Sequence, residues 1–396
     1  MIDTQLIKRL KAIVGKQYVL NKESDLITFE YDGSVDRSQP TVVVLPSSTG
    51  EVSQLMKLAS EYGIPIVARG AATGLSGGAI AEQGGILLTL TRMNRIIEID
   101  PKNQFAVVEP GVVNLELTQA VSKFDLYYAP DPSSQQACTI GGNIAENSGG
   151  PHCLAYGVTT NHVLGMEVVT ADGEISWYGN RTRECPGYDL RGIMIGSEGT
   201  LSIVTKAILR LIRKPESVKT LLAIYKDLDQ ASATVAEVIS SGIVPAAMEM
   251  MDDLAIKAVE PAVHAGYPEN AGAVLLVEVE GLSESVEEEA FEIEKVMDKY
   301  EPQIFRDLRT RISTFTSAGW SFSSFGGPER IREKFEAFAH EEYNKGKYKD
   351  EAHLKKCIET GSDLFDRNVK KKKVDKNFFP KDLLKLMEEN STFYFS

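Results

Sequence analysis

The sequence predicts an α+β fold, and three observations carry that reading. β-Branched runs alternate with a well-capped helix near the start, an Asp-Gly turn separates two strand-like runs further on, and the rhythm changes again after Pro215. At 396 residues, 43% of them hydrophobic, the chain is long enough for two domains with cores of their own.

Val42 to Leu45 is a β-branched run that predicts a strand. Ser48 with Glu51 three residues on predicts a capped helix running to about Glu61, and Gly63 ends it. Ile66 and Val67 open a second strand that leads into a loop from Arg69 to Gly78, and Ile86 to Leu90 and Phe105 to Val108 continue the strand pattern around a turn at Pro101. Leu164 to Thr170 and Glu174 to Tyr178 flank Asp172-Gly173, which supplies the positive φ of a tight hairpin. Past Pro215 the pattern predicts a strand at Thr220 to Tyr225, a helix at Leu228 to Ser240, strands at Ala246 to Met251 and Val274 to Glu280, and a charged helix from Ser283 to Tyr300. From Arg306 onward helical stretches such as Ile331 to Glu342 replace that alternation. Domains are therefore expected at 1–217, 218–305 and 306–396.

Composition excludes several classes. Apolar runs such as Ala273 to Val277 are far shorter than the ~20 residues a membrane helix requires, and no apolar signal core follows Lys8, Arg9 and Lys11, so a cytoplasmic location is expected. A net charge of -13 argues against nucleic acid, and Lys370 to Lys373 reads as a solvated run. The cysteines at 138, 153, 185 and 357 form neither a CxxC nor a secreted framework; reduced thiols are expected, with no metal site.

The chemistry lies in the glycines. VARGAATGLSGG, Val67 to Gly78, follows directly on a strand and sets glycines at 70, 74, 77 and 78 among alanine, threonine and serine. Such a loop offers bare N–H groups in a concave turn, the natural seat of a pyrophosphate. A rigid turn, Pro130 to Ser134, precedes a second cluster, TIGGNIAENSGG, Thr139 to Gly150. Two separated cradles suit a long ligand such as a dinucleotide. Neither GxGxxG before a helix nor GxxxxGK[ST] is present, which disfavours Rossmann and P-loop sites.

In that order RGAATGLSGG, YYAPDPSSQQACTIGGNIAENSGGPHCLAYGVT and GSEGTLSIVT resemble the FAD-linked oxidase superfamily of the vanillyl-alcohol oxidase and p-cresol methylhydroxylase type, closest to glycolate oxidase FAD subunits and D-lactate dehydrogenases. The resemblance covers about Asp32 to Pro215, more loosely to Tyr300. It implies a p-cresol methylhydroxylase-type FAD-binding domain of two α/β subdomains, a partial α+β cap domain, and a divergent helical tail. It implies that Arg69, Gly70, Ala71, Ala72, Thr73, Gly74, Leu75 and Ser76 form the pyrophosphate loop. Pro130, Asp131 and Ser133 would follow the flavin and ribityl chain; Gly141, Gly142, Asn143, Asn147 and Gly150 would line the isoalloxazine; Gly157, Glu198 and Ile203 would close the adenosine side. The loop has no histidine or cysteine, so FAD is expected to be held non-covalently, with His152 the residue to check as an attachment point.

The implied activity is hydride removal from the α-carbon of a small 2-hydroxy acid. Electrons would pass to an external acceptor, through an iron-sulfur or electron-carrier subunit or directly, and such a partner would place the chain at a membrane periphery. A cation for the carboxylate and a base are required. Arg306, Arg309 and Arg311 lie where such proteins place a substrate arginine, and Arg309, Arg311 and His152 are the catalytic candidates; His152 also reads as a hydrogen-bonded structural histidine. The HxGDGN-like histidine motif of the resembling cap domains is absent, and His264, His340 and His353 stand alone. An FAD-binding electron-transfer or assembly subunit without turnover is therefore the alternative, and a sugar oxidase a third.

Overall fold

The computed structural model describes residues 3–182, 187–268 and 270–307. Val42–Val44 is buried on both faces and lies inside a four-stranded sheet, pairing in parallel with Ile86–Thr89, which pairs in parallel with Ile66–Arg69. Val19–Leu20 adds an antiparallel edge on the other side. The crossover from Val42–Val44 to Ile66–Arg69 is the helix Thr49–Tyr62. Ser48 Oγ accepts from Glu51 N at 3.2 Å, a cap contributing about 1 kcal/mol, while the Glu51 carboxylate turns one residue further back, onto Ser47 N at 2.7 Å. Gly63 closes the helix at φ 60°. Leu6, Leu10 and Val14 of the helix Thr4–Val14 pack with Val52 and Leu55 on the same core.

The second sheet is antiparallel and five-stranded, in the order Ile96–Asp100, Phe105–Val108, Ser202–Arg210, Val163–Thr170, Ile175–Gly179. The expected hairpin joins its last two strands, with Gly173 at φ 78°. The two sheets are keyed together: Val169 and Ile203 of the second enter the core of the first, and Glu167 accepts from Thr49 Oγ1 at 2.6 Å and Lys206 Nζ at 3.0 Å. The Lys206 and hydroxyl contacts hold the Glu167 carboxyl below its ordinary range although burial pushes the other way.

A third antiparallel sheet runs in the order Ala247–Asp252, Ala273–Gly281, Ser217–Tyr225, Ile304–Asp307. Helices Leu228–Ser240 and Ser283–Lys299 cover one face, packing Ala231, Val238, Ala290 and Ile293 on Leu221, Ala223, Leu275 and Val277. The opposite face carries Leu222, Ile224 and Val274, part-covered by Ile256 of the helix Asp253–Val263. That helix and the strand Ile96–Asp100 go beyond the sequence expectation; Pro261 inside the one and the short alternating IIEID of the other mask their periodicity. The expected helix at Ile331 to Glu342 lies outside the described residues.

Candidate functional site

The first glycine loop leaves the strand Ile66–Arg69 and turns back with almost no side-chain volume. None of the N–H groups from Ala71 to Ala79 donates to a protein acceptor among the described residues. The half-buried donors among them, at 72–74 and 77–79, favour an outside acceptor, and a run of them on a concave turn fits an anion. Ala72 sits at φ 57°, a left-handed conformation that costs a non-glycine residue about 1 kcal/mol or more. Arg69 behaves differently from its neighbours. Its guanidinium is buried, reaches Phe29 O at 3.4 Å and Ala79 O at 3.3 Å, and lies over the Phe29 ring, so it ties the two ends of the loop together. Burial lowers its pKa and the charge of Asp32 opposes that.

The loop faces the helix Ile140–Glu146. A Cβ on Gly70 would collide with Thr139 Oγ1, and one on Gly78 would come within 2.7 Å of Glu198 Oε2 and 3.3 Å of Glu146 Oε1. Thr139 caps that helix by accepting from Gly142 N, and Gly141 is glycine because a Cβ there would press on Pro110 at 2.7 Å. Asn143 is buried beside the Cys138 thiol, and its Nδ2 completes no hydrogen bond of standard geometry among the described residues. Asn147 ends the helix in the left-handed region, and its Oδ1 accepts from Thr160 N at 2.9 Å. The turn 196–198 docks on the helix end: Gly196 N donates to Ile144 O and Glu198 N to Ala145 O, both at 2.9 Å. The structure thus brings Gly70 to Gly78, Thr139 to Asn147 and Glu198 together. Burial, then Glu198 and Asp32, raise the pKa of Glu146.

The turn Pro130 to Ser133 adjoins the end of the second cluster. A Cβ on Gly150 would collide with Asp131, and Pro130 O accepts from buried Asn114 Nδ2 at 2.9 Å. Ser133 is exposed. Gly157, at φ 79°, closes the helix Cys153–Tyr156 and packs on Asn161. Ile203 sits 2% exposed in the first core, within reach of Gly199. Arg309 and Arg311 lie outside the described residues, and of Arg306 the backbone alone is placed, opposite Leu222.

A polar network that sequence reasoning missed joins this turn to the third sheet. His152 Nδ1 is 2.6 Å from Asp131 Oδ2, and its Nε2 is 3.0 Å from Glu278 Oε1. Thr220 Oγ1 donates to the other Glu278 oxygen at 2.8 Å, and Tyr127 and Tyr156 both donate to Glu280 Oε1. Asp131, then Glu278, raises the His152 pKa to about 10, against the opposing pull of burial. Ligand atoms of His152, Glu278 and Glu280 lie within 4.8 Å of one another, and each nitrogen of the His152 ring already faces a carboxylate. The signal was present in the strand AVLLVEVEG: two glutamates at period two on one face of an otherwise buried apolar run.

A parallel βαβ layer keyed to an antiparallel sheet, with an anion-seeking loop between them, defines a cofactor-binding module. A sequence profile described as FAD binding domain matches residues 40–179, and one described as FAD linked oxidases, C-terminal domain, matches residues 214–306. The chain is 42% identical over 297 residues to the glycolate oxidase subunit GlcD of Escherichia coli strain K12, covering 75% of this chain and 60% of that protein. It is 40% identical over 317 residues to the GlcD subunit of Bacillus subtilis strain 168, covering 80% and 67%. p-Cresol methylhydroxylase with substrate bound superposes with a TM-score of 0.65 at 19% identity, over 76% of this chain and 65% of that one, a likeness of fold. The chain belongs to the FAD-linked oxidase family, and FAD is its cofactor. It spans 60% of the length of the Escherichia coli relative. No helix among the described residues is long and apolar enough to cross a membrane.

Proposed function

We propose that this chain is an FAD-dependent oxidoreductase that takes a hydride from the α-carbon of a small 2-hydroxy acid of the glycolate or D-lactate type and passes electrons to an external acceptor. The observation that carries the cofactor half is the unbroken run of N–H groups from Ala71 to Ala79 with no acceptor among the described residues. Gly74, where no protein atom lies within 3.9 Å of an added Cβ, leaves room for the same group. On this reading residues 1–217 bind FAD and 218–305 form the cap.

Ala71 to Ser76 would hold the diphosphate through backbone N–H groups and the Ser76 hydroxyl, with Arg69 shaping the loop. Pro130, Asp131 and Ser133, and Gly141, Gly142, Asn143, Asn147 and Gly150, would hold the ribityl chain and ring, and Gly157, Glu198 and Ile203 the adenosine side. FAD, when bound, supplies the hydride acceptor. The protein's part is to orient the two reactants, exclude water and neutralise a carboxylate. Arg69 and His152, the cations at the two cradles, are already committed to protein partners, which leaves Arg309 and Arg311 as candidates for that carboxylate. His152 has both ring nitrogens engaged, which supports non-covalent FAD over attachment there. An iron-sulfur or electron-carrier subunit is the partner class this reading favours.

The test is direct. The purified chain should show a flavin spectrum, and acid precipitation should release the flavin to the supernatant. Without oxygen, glycolate, D-lactate or D-2-hydroxyglutarate should bleach it. Colour that persists with all three supports a binding subunit without turnover, and bleaching by an aldose alone supports a sugar oxidase.

A further inference from the structure

We propose that His152 is a positioning residue: a cationic clamp that fixes the third sheet against the second cradle, so that cap position and FAD affinity form one equilibrium. The coupling rests on the FAD reading above, whereas the clamp itself rests on geometry alone.

The observations are these. Asp131 and Gly150 are in contact so close that no side chain fits at 150, and His152 N also lies 3.4 Å from Asp131 Oδ1. The turn 130–133 and the segment 148–152 are therefore packed directly on one another. The imidazole there spans two carboxylates from different parts of the fold, Asp131 beneath it and Glu278 on the sheet. The groups facing it are Asp131, Glu278 and Glu280, with the Tyr127 and Tyr156 hydroxyls closing on Glu280. Asp131 and Glu278, 19% and 11% exposed, meet across His152, itself 25% exposed, and among the described residues the imidazole is the cation between them. Without it Asp131 and Glu278 repel across the boundary between the cradle and the sheet. A neutral histidine could serve one carboxylate as donor but not both.

Charge, not shape, is what the clamp requires, and the experiment separates the two. On the full chain, His152→Gln should weaken FAD binding by at least about fivefold, while His152→Arg, which can bridge two carboxylates, should restore most of it. Circular dichroism checks that each variant folds, and Glu278→Gln, a change of charge at constant shape, gives the same answer by a milder route. NMR of the imidazole nitrogens provides a readout that needs no FAD: a ring signal absent from His152→Gln should remain doubly protonated well above the ordinary histidine range and move back toward it in Glu278→Gln. Equal FAD affinity in wild type and His152→Gln, or a wild-type ring that titrates in the ordinary range, overturns the proposal. A wild-type chain that binds no FAD overturns the reading beneath the coupling, while the ring titration still decides the clamp.

Discussion

The loop Arg69 to Gly78 and the network around His152 solve opposite problems with opposite means. The loop is nearly free of side chains, and its N–H groups from Ala71 on have no acceptor among the described residues, whereas the network is dense with side chains whose polar ends meet. Half-buried donors without a protein partner favour a ligand that completes them, as those of the loop do; a satisfied ion cluster resists change, so the network resists rearrangement. On the proposed reading the open loop holds one part of FAD and the closed network stands beside another, and the difference between them says which of the two a ligand completes.

The largest effect should come from filling the open end. Gly74 has no positive φ, and the nearest atom to an added Cβ is Glu146 Oε1 at 3.9 Å, so alanine is accommodated there by the protein itself. Gly74→Asp places a carboxylate against the diphosphate and should abolish bound FAD, measured by flavin absorbance per chain, while the third sheet stays folded. Gly74→Val separates bulk from charge, because Asp also faces Glu146. Normal flavin content in both variants breaks the assignment of the loop.

Much of this contrast was legible in the sequence on one side only. Glycine density, Ser48 with Glu51, Gly63 and Asp172-Gly173 are local signals whose physics acts within a few residues, and the structure places the helix Thr49–Tyr62 and the hairpin where they indicate. The network depends on residues far apart in the chain: the paired glutamates of AVLLVEVEG are a local signal, but Tyr127, Tyr156 and Thr220 carry no local pattern, and the partners of His152 lie 21 and 126 residues away. Arg69 illustrates the same limit. An arginine at a phosphate loop suggests a phosphate cation, but its burial under Phe29 and its carbonyl partners emerge only from the fold.

A smaller effect should come from the acid at the cradle's rim. Glu146 is pushed up by burial first and then by Glu198 and Asp32, so ionising it costs more in the folded protein than in the unfolded chain. The sign follows from linkage: its contribution is fully present below the unfolded carboxyl pKa and is lost as pH rises through the raised folded value. Glu146→Gln keeps the neutral form at every pH. It should therefore gain stability at neutral pH, by no more than about 0.5 kcal/mol because the group is largely exposed, with the difference vanishing toward acid pH in denaturant titrations. The same variant should bind FAD more tightly at low ionic strength, since a carboxylate near Gly78 repels a diphosphate. Unchanged affinity at low salt would place the diphosphate away from that rim.

The smallest effect sharpens the comparison most, because it touches neither charge nor contact. Ala72 holds a left-handed backbone in the middle of the open loop, where glycine relieves about 1 kcal/mol of strain but gives back a similar amount as unfolded-state entropy. Ala72→Gly should leave thermal stability without FAD nearly unchanged. If the strained turn exists to aim N–H groups at the diphosphate, the glycine variant must order the loop when FAD arrives, and its affinity should fall by a few-fold with the loss in the association step. An affinity equal to wild type would mean that the loop's shape is fixed by Arg69 and the Phe29 and Ala79 carbonyls, and the open end would then be as pre-set as the closed one.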